Sequence, residues 1–200
     1  MVKHESPKQN LKNQILTEAA AILGANGLQG LSLREVAKKL KVTHQAPYHY
    51  FSDKESVVLE LKRRGFDQLS RAMDSAQTKG QDGFDKLQRI GILYFDFCME
   101  NIGYFRAMFG AVAEGAGIRV PEAQRCFEII HECIKQVQDE GYLKNYDAEI
   151  IALICWTTMH GLVSLALEKY PIVGGKYKPR ELALQMIQLL HELYGQKPCR

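Results

Sequence analysis

Polar and aromatic side chains are concentrated in one short stretch of this 200-residue chain, THQAPYHY at residues 43–50. The threonine, histidine and glutamine at its start carry hydrogen-bonding groups of the kinds that contact base edges in the major groove of DNA. The tyrosines and histidine that follow offer O–H and N–H donors to phosphate oxygens, and a lysine just beyond can hold a phosphate together with the backbone amides of a helix start. The residues with this chemistry are Thr43, His44, Gln45, Tyr48, His49 and Lys54.

The apolar spacing around this stretch predicts the frame that would present it. Apolar residues recur at helical spacing in LREVAKKL, residues 33–40, and Ser32 with Glu35 forms a capping box at the start. After a tight turn, Thr43 can cap a further helix that ends at about Phe51. Two short amphipathic helices joined in this way, over about residues 32–51, predict a helix-turn-helix.

The rest of the chain also has helical periodicity, with no alternating strand pattern of any length. A first helix ends in glycines at Gly24 and Gly27, and a capping box of Ser52 and Glu55 opens a long helix that continues to about Ala76. Later helices are predicted at about 84–99, 101–110, 121–140, 147–169 and 179–194. The fold class is therefore all-α with about nine helices, divided into residues 1–70 and residues 71–200.

Charge is distributed unevenly between these two parts. The formal net charge is +3, and residues 1–70 carry eleven Lys and Arg against seven Asp and Glu, whereas the remainder is slightly acidic. Only the N-terminal end is thus suited to a polyanionic partner. The N-terminus lacks the apolar region of a secretory signal and no uninterrupted apolar stretch reaches about 18 residues, which predicts a cytoplasmic protein.

Residues 31–61, LSLREVAKKLKVTHQAPYHYFSDKESVVLEL, resemble the signature of the tetracycline-repressor (TetR) family. The chain departs from the family pattern twice. Lys41 replaces the usual turn glycine, which costs about 1 kcal/mol if the position is left-handed. Pro47 replaces a leucine or isoleucine in the recognition helix, which is expected to kink that helix or tighten its first turn. The resemblance implies that Arg34, His44 and Gln45 contact bases, and that Thr43, Tyr48, His49 and Lys54 contact phosphates.

The same resemblance implies a homodimer whose second domain binds a small, partly apolar effector. The run from Trp156 to Gly161 is similar to a W-x-x-x-H-G motif of one TetR subgroup, and His160 is either a core histidine or a pocket residue. Soft and aromatic side chains elsewhere in that part are candidates to line the pocket. The full candidate set is Phe97, Tyr104, Phe105, Met108, Phe127, Trp156 and His160.

The last two helices are predicted to form the dimer interface. Residues 147–169 are apolar nearly all round, and the final helix carries two apolar stripes, of which one can serve the chain's own core and the other a partner. The stripes are Leu182, Met186, Leu189, Leu193 and Ala183, Ile187, Leu190, Tyr194.

The chemistry of the remaining residues favours regulation over catalysis. No nucleophile and base are paired in the sequence, and His131 and Cys133 lie two apart on a helix, so they cannot share a metal. We therefore expect no metal and no cofactor. The five cysteines are either ordinary buried thiols or a redox sensor. The function predicted is a repressor released from its operator by a ligand. The alternatives are a ligand-independent or activating DNA-binding protein and an enzyme that uses Cys and His.

Overall fold

The computed structural model describes residues 7–79, 81–110 and 120–194. In this part of the chain eight α-helices and one 3₁₀ turn follow each other, with no strand beyond a single bridge between Val173 and Tyr177. The helices are α1 Pro7–Gly30, α2 Leu33–Leu40, α3 Lys54–Gln77, α4 Gly83–Glu100, α5 Ile102–Phe109, α6 Pro121–Asp139, α7 Ala148–Leu167 and α8 Pro179–Tyr194. The predicted all-α class is confirmed.

The helices form two compact units. The N-terminal unit comprises described residues of Met1–Phe66 and Asn101–Val120, and the C-terminal unit those of Asp67–Glu100 and Pro121–Arg200. A cut of the sequence at residue 70 assigns α5 to the second part, whereas α5 packs against α1 in the N-terminal unit.

Two glycines allow α5 to approach α1 closely. A Cβ on Gly103 would overlap the carbonyl oxygen of Ala20 and lie 2.7 Å from its carbonyl carbon, and a Cβ on Gly24 would lie 3.1 Å from the Gly103 nitrogen. Near this crossing α1 leaves helical geometry at Gly27, which has φ 67° and ψ −172°. Arg106 of α5 donates from Nη1 to the carbonyl oxygen of Leu23 at 3.1 Å, which supplies a partner to a carbonyl one turn before the break.

The capping predictions are partly right. The Ser32 hydroxyl accepts a hydrogen bond from the Glu35 amide at 3.1 Å, as predicted for α2. The box of Ser52 and Glu55 is wrong by one residue, because the Asp53 carboxylate accepts from the Ser56 amide at 2.7 Å and the Ser56 hydroxyl donates to the Asp53 carbonyl oxygen at 2.8 Å. α3 accordingly begins at Lys54.

The predicted recognition helix from Thr43 to about Phe51 is not an α-helix. Residues 44–46 form a turn and Pro47–His49 a single 3₁₀ turn, with i to i−3 hydrogen bonds from the amides of Ala46, Tyr48, His49 and Tyr50. Pro47 has no N–H to donate to Thr43, so the first α-helical bond of this segment cannot form. The segment instead tightens into the 3₁₀ geometry that needs no such bond.

In the C-terminal unit α4, α6, α7 and α8 pack on one another. α7 begins at Asp147, whose carboxylate accepts from the amides of Glu149 and Ile150 at 2.7 and 3.2 Å. α7 is also the one described helix whose length and composition match a membrane span, with a mean hydropathy of 1.9. A core helix that contributes to a bundle on several faces has the same composition.

Candidate DNA-binding and ligand-binding sites

The side chains predicted to contact DNA are displayed on the surface of the N-terminal unit. The structure brings together five of them, Thr43, His44, Gln45, Tyr48 and His49, on the exposed turn and 3₁₀ segment that follows α2. Arg34 is exposed in the first turn of α2, and Lys54 is half-buried as the first residue of α3.

This segment is anchored from below by apolar contacts. Pro47 and Phe51 are buried, and Tyr50 packs against the core of the unit. The Lys12 ammonium lies 5.7 Å from the centre of the Phe51 ring. The anchors hold the backbone, so that the polar side chains between them remain on the surface.

The turn between α2 and this segment is left-handed. Lys41 has φ 56° and ψ 38°, and the amides of Lys41 and Val42 donate to the carbonyl oxygens of Lys38 and Ala37 at 3.2 and 3.1 Å. The expected left-handed position is thus observed, and the lysine there carries the strain that a glycine would avoid.

The electrostatics of the helix-turn-helix favour an anion. Residues 31–54 contain five Lys and Arg and two Asp and Glu. One of the two carboxylates, Asp53, caps α3. Its pKa is lowered mainly by the hydrogen bond from the Ser56 amide and to a smaller extent by the hydrogen bond from the Ser52 hydroxyl. The other, Glu35, lies 4.0 Å from the Lys38 ammonium across one exposed helical turn. Of the remaining cations, Arg34, Lys39 and Lys41 are exposed and Lys54 is half-buried.

The C-terminal unit encloses a cavity of about 570 Å³. Most of its wall is apolar and comes from α4, α6, α7 and α8, with Met73 added from α3. Its buried lining residues include Met73, Ile90, Tyr94, Ile130, Ile134 and Met159. Its exposed polar lining residues are Gln88, Gln188, His191 and Tyr146. A concave apolar wall with a few polar groups is the usual construction of a small-molecule site.

One buried polar group lies at the inner wall of this cavity. The Tyr94 hydroxyl and His160 Nδ1 are 2.8 Å apart, and desolvation raises the pKa of Tyr94 above its ordinary range. Burial lowers the pKa of His160, so the neutral ring is favoured. His160 is thus a half-buried histidine bonded to Tyr94, and it is not among the residues that line the cavity.

The structure places the seven predicted pocket residues in different parts of the molecule. Trp156 lines the cavity, whereas the other six do not line it. Phe127 packs beside Trp156 with ring centres 6.1 Å apart, and Phe97 lies on α4 outside the wall.

Tyr104, Phe105 and Met108 belong to α5 and hence to the N-terminal unit. Sequence order assigned them to the second domain, because periodicity does not show that α5 returns to α1. The sequence prediction missed most of the residues that line the cavity. Leu87, Gly91 and Tyr94 of α4 follow helical spacing, so the face of α4 that lines the cavity could have been found from that spacing.

The described cysteines are buried or half-buried thiols. Burial raises the pKa of Cys98 and of Cys126 to about 12, and of Cys133 and Cys155 to about 11. Thiols that remain protonated are poor nucleophiles, which favours the ordinary interpretation of these four over a redox sensor. Cys199 lies outside the described residues. Among the described residues no group of three His, Cys, Asp or Glu is arranged to hold a metal ion.

Comparison with known proteins agrees with both units. Residues 15–61 match the family model of bacterial regulatory proteins of the tetR family, and residues 87–190 match that of the tetracyclin repressor-like C-terminal domain. The chain belongs to the TetR family. The family and the fold are those of regulatory proteins. These matches do not single out the W-x-x-x-H-G subgroup, which remains a prediction.

Similar proteins are known from several bacteria. An uncharacterized helix-turn-helix transcriptional regulator, YobS of Bacillus subtilis, is 30% identical over 103 residues, which is 51% of this chain and 53% of that protein. The chain spans little more than half the length of the curated relatives that it matches.

Solved structures share the fold over nearly the whole chain. A protein of unknown function from Rhodococcus sp. RHA1 superposes with a TM-score of 0.79 at 23% identity, covering 98% of each chain. FadR of Bacillus halodurans, a fatty acid degradation regulator, superposes with a TM-score of 0.76 at 18% identity, covering 94% of this chain and 96% of its own.

Proposed function

We propose that this protein is a transcriptional regulator that binds operator DNA as a homodimer and leaves it when a small molecule fills the cavity of the C-terminal unit. The observation that carries the proposal is the helix-turn-helix of the N-terminal unit, with its exposed polar segment at residues 43–49 and its excess of cations. In this proposal the protein is a cytoplasmic repressor, because the operator DNA that it binds lies in the cytoplasm.

The proposed division of DNA contacts follows the chemistry of the side chains. Arg34, His44 and Gln45 read bases, since arginine and glutamine can each form two hydrogen bonds with one base. Thr43, Tyr48, His49 and Lys54 contact phosphates; for Lys54, the position at the start of α3 adds free backbone amides to its ammonium. The short 3₁₀ segment presents fewer turns to the groove than a full recognition helix, so Arg34 of α2 takes a larger share of the base contacts.

The proposed dimer interface is formed by the outer faces of α7 and α8. Ile150 and Leu153 of α7 and Leu189 of α8 are 58%, 42% and 54% exposed and do not line the cavity, whereas Ala183 on the other stripe of α8 is fully buried. Ile187 packs inside the unit against Gly91: its Cδ1 atom lies 3.0 Å from the position that a Cβ on Gly91 would take. Leu189 is thus the exposed member of the two stripes that is available to a partner. The Leu193 and Tyr194 side chains lie outside the description.

DNA binding is tested first, with a sequence selected by the protein from a random duplex library and measured by fluorescence anisotropy. We expect the selected duplex to bind at least about 1,000-fold more tightly than random DNA, and the affinity for both to fall steeply between about 50 and 200 mM salt. Equal affinity for selected and random DNA would leave a general DNA-organising protein instead of a regulator.

Release is tested by titrating a ligand with and without the selected duplex. To weaken operator binding about 100-fold, a ligand must prefer the DNA-incompetent state by about 2.7 kcal/mol. By reciprocity, the duplex weakens ligand binding by the same factor. A ligand that binds the cavity equally well in both cases would refute release and favour ligand-independent regulation.

A further inference from the structure

The cavity of the C-terminal unit has no fixed charge in its wall. None of its lining residues, all within the described part of the chain, is Lys, Arg, Asp or Glu. The one basic side chain among them is His191, which is exposed and stacks on Phe84 with ring centres 4.7 Å apart. An ionised group brought into this wall would lose its hydration without gaining an ion pair.

The polar lining residues come from several elements: Gln88 from α4, Gln188 and His191 from α8, Thr158 from α7 and Tyr146 from just before α7. α4 and α8 run antiparallel here, since Phe84 contacts His191 and Gly91 lies beside Ile187. Gln88 and Gln188 fall between these two contacts, and both are exposed lining residues. The two amides therefore belong to the same stretch of the paired helices α4 and α8, at exposed positions of the wall.

The buried part of the wall is apolar. Its buried lining residues are aliphatic or thioether side chains apart from Tyr94, whose hydroxyl is already bonded to His160. Gln188 donates to the carboxylate of Glu192 at 3.0 Å, which adds negative charge near the amides. That charge disfavours an anionic head group further.

We infer that the cavity takes a neutral amphipathic molecule, with its apolar part against the buried wall and an uncharged hydrogen-bonding head at Gln88 and Gln188. At the packing density of protein interiors, about 570 Å³ holds a ligand of up to roughly 25 non-hydrogen atoms. The inference rests on the proposed function, since it names the class of effector for that same cavity. Free carboxylates and phosphate esters are expected to bind poorly, and a quaternary amine is expected to bind more weakly than a neutral head because no lining residue carries a charge to pair with it.

The single tryptophan of the chain gives a direct readout, because Trp156 lines the cavity. The probes are 1-decanol, decanoate and decyltrimethylammonium at about pH 7.5, which share one alkyl chain and differ in the charge of the head. Each is titrated below its critical micelle concentration while Trp156 fluorescence is followed. We expect 1-decanol to bind at least about tenfold more tightly than either charged probe.

A pair of glycine variants locates the binding. Gly91→Leu places a side chain in the cavity, where its Cβ would lie 3.0 Å from the terminal Cδ1 of Ile187 and 3.8 Å from the terminal Cε of Met159. Gly161→Leu makes the same change on α7, at a residue that does not line the cavity. No atom lies within 4 Å of the position of its new Cβ. We expect Gly91→Leu to abolish the response to 1-decanol and Gly161→Leu to retain it, with thermal melting as the check that both are folded.

The result that overturns the inference is decanoate or the ammonium probe binding as tightly as 1-decanol, or no response to 1-decanol at all. Binding that survives Gly91→Leu also overturns it, because the probe then lies elsewhere. Failure of the proposed function would be recognised by a different result. If 1-decanol binds as expected and operator affinity is unchanged, the ligand class stands and release does not. If decanoate binds more tightly and releases DNA, the regulator stands and the ligand class does not.

Discussion

Replacing Gly103 with alanine adds one methyl group where α5 crosses α1. The new Cβ would overlap the carbonyl oxygen of Ala20 and lie 2.7 Å from its carbonyl carbon and 3.0 Å from its Cα. These are backbone atoms of α1, so no side-chain rotation relieves the contact and the two helices must move apart. Overpacking of this kind typically costs about 1–3 kcal/mol, and a backbone neighbour places Gly103 at the upper end.

The helical preference of alanine opposes this cost in part. Alanine is favoured over glycine by at most about 1 kcal/mol in a helix, so the net loss in free energy of unfolding is about 2 kcal/mol. For a unit of this size the midpoint of thermal unfolding should fall by roughly 8–16 °C. The measurement is circular dichroism at increasing temperature.

Two matched glycine variants serve as controls. Gly161→Ala lies on α7 with no atom within 4 Å of the new Cβ, and we expect its midpoint to be unchanged or higher. Gly24→Ala, whose Cβ would lie 3.1 Å from the Gly103 nitrogen, should fall between the two. If Gly103→Ala melts with the wild type while Gly161→Ala behaves as expected, the close crossing of α1 and α5 is refuted.

Three further outcomes are expected. Leu189→Arg should convert the dimer to a monomer in sedimentation and weaken operator binding, while Ile172→Arg, an equally exposed position in the loop before α8, should do neither; a dimeric Leu189→Arg would exclude α8 from the interface. Lys54→Ala should weaken binding to all duplexes and flatten the salt dependence by about one unit, whereas Gln45→Ala should cost about 1–3 kcal/mol at one base pair; equal losses on operator and random DNA for both would contradict these roles. Burial lowers the pKa of His160 below its ordinary 6.5, so its contribution to stability is complete above that value and is lost as the pH falls through the folded-state pKa. The melting midpoint should therefore drop more from about pH 7 to about pH 5 in the wild type than in His160→Asn. Parallel pH profiles of the two proteins would contradict this assignment.

The helical pattern was predictable because it depends on neighbouring residues. The predicted ranges 84–99, 121–140 and 179–194 agree closely with α4, α6 and α8, since apolar periodicity and capping residues act within a few turns. The left-handed Lys41 was also predictable, because a known turn pattern fixed which position takes that geometry.

The errors arise where one local signal competes with another. Pro47 was predicted to kink or tighten the recognition helix. Whether the whole segment from Thr43 to Phe51 loses α-helical geometry depends on whether later α-helical hydrogen bonds offset the bond that Pro47 cannot donate. The cap of α3 moved from Ser52 to Asp53 because adjacent polar residues offer alternative hydrogen bonds to the same amides.

The sequence by itself determined the all-α class, the helix-turn-helix and the family, because these follow from periodicity and from residues close together in the chain. Only the tertiary structure decided that α5 joins the N-terminal unit, so that Tyr104, Phe105 and Met108 lie outside the unit that holds the cavity. It also decided which residues form the cavity wall and that Leu189 of α8 stays exposed. Such assignments depend on contacts between residues distant in sequence, and an amphipathic helix specifies that a face is buried without specifying against what.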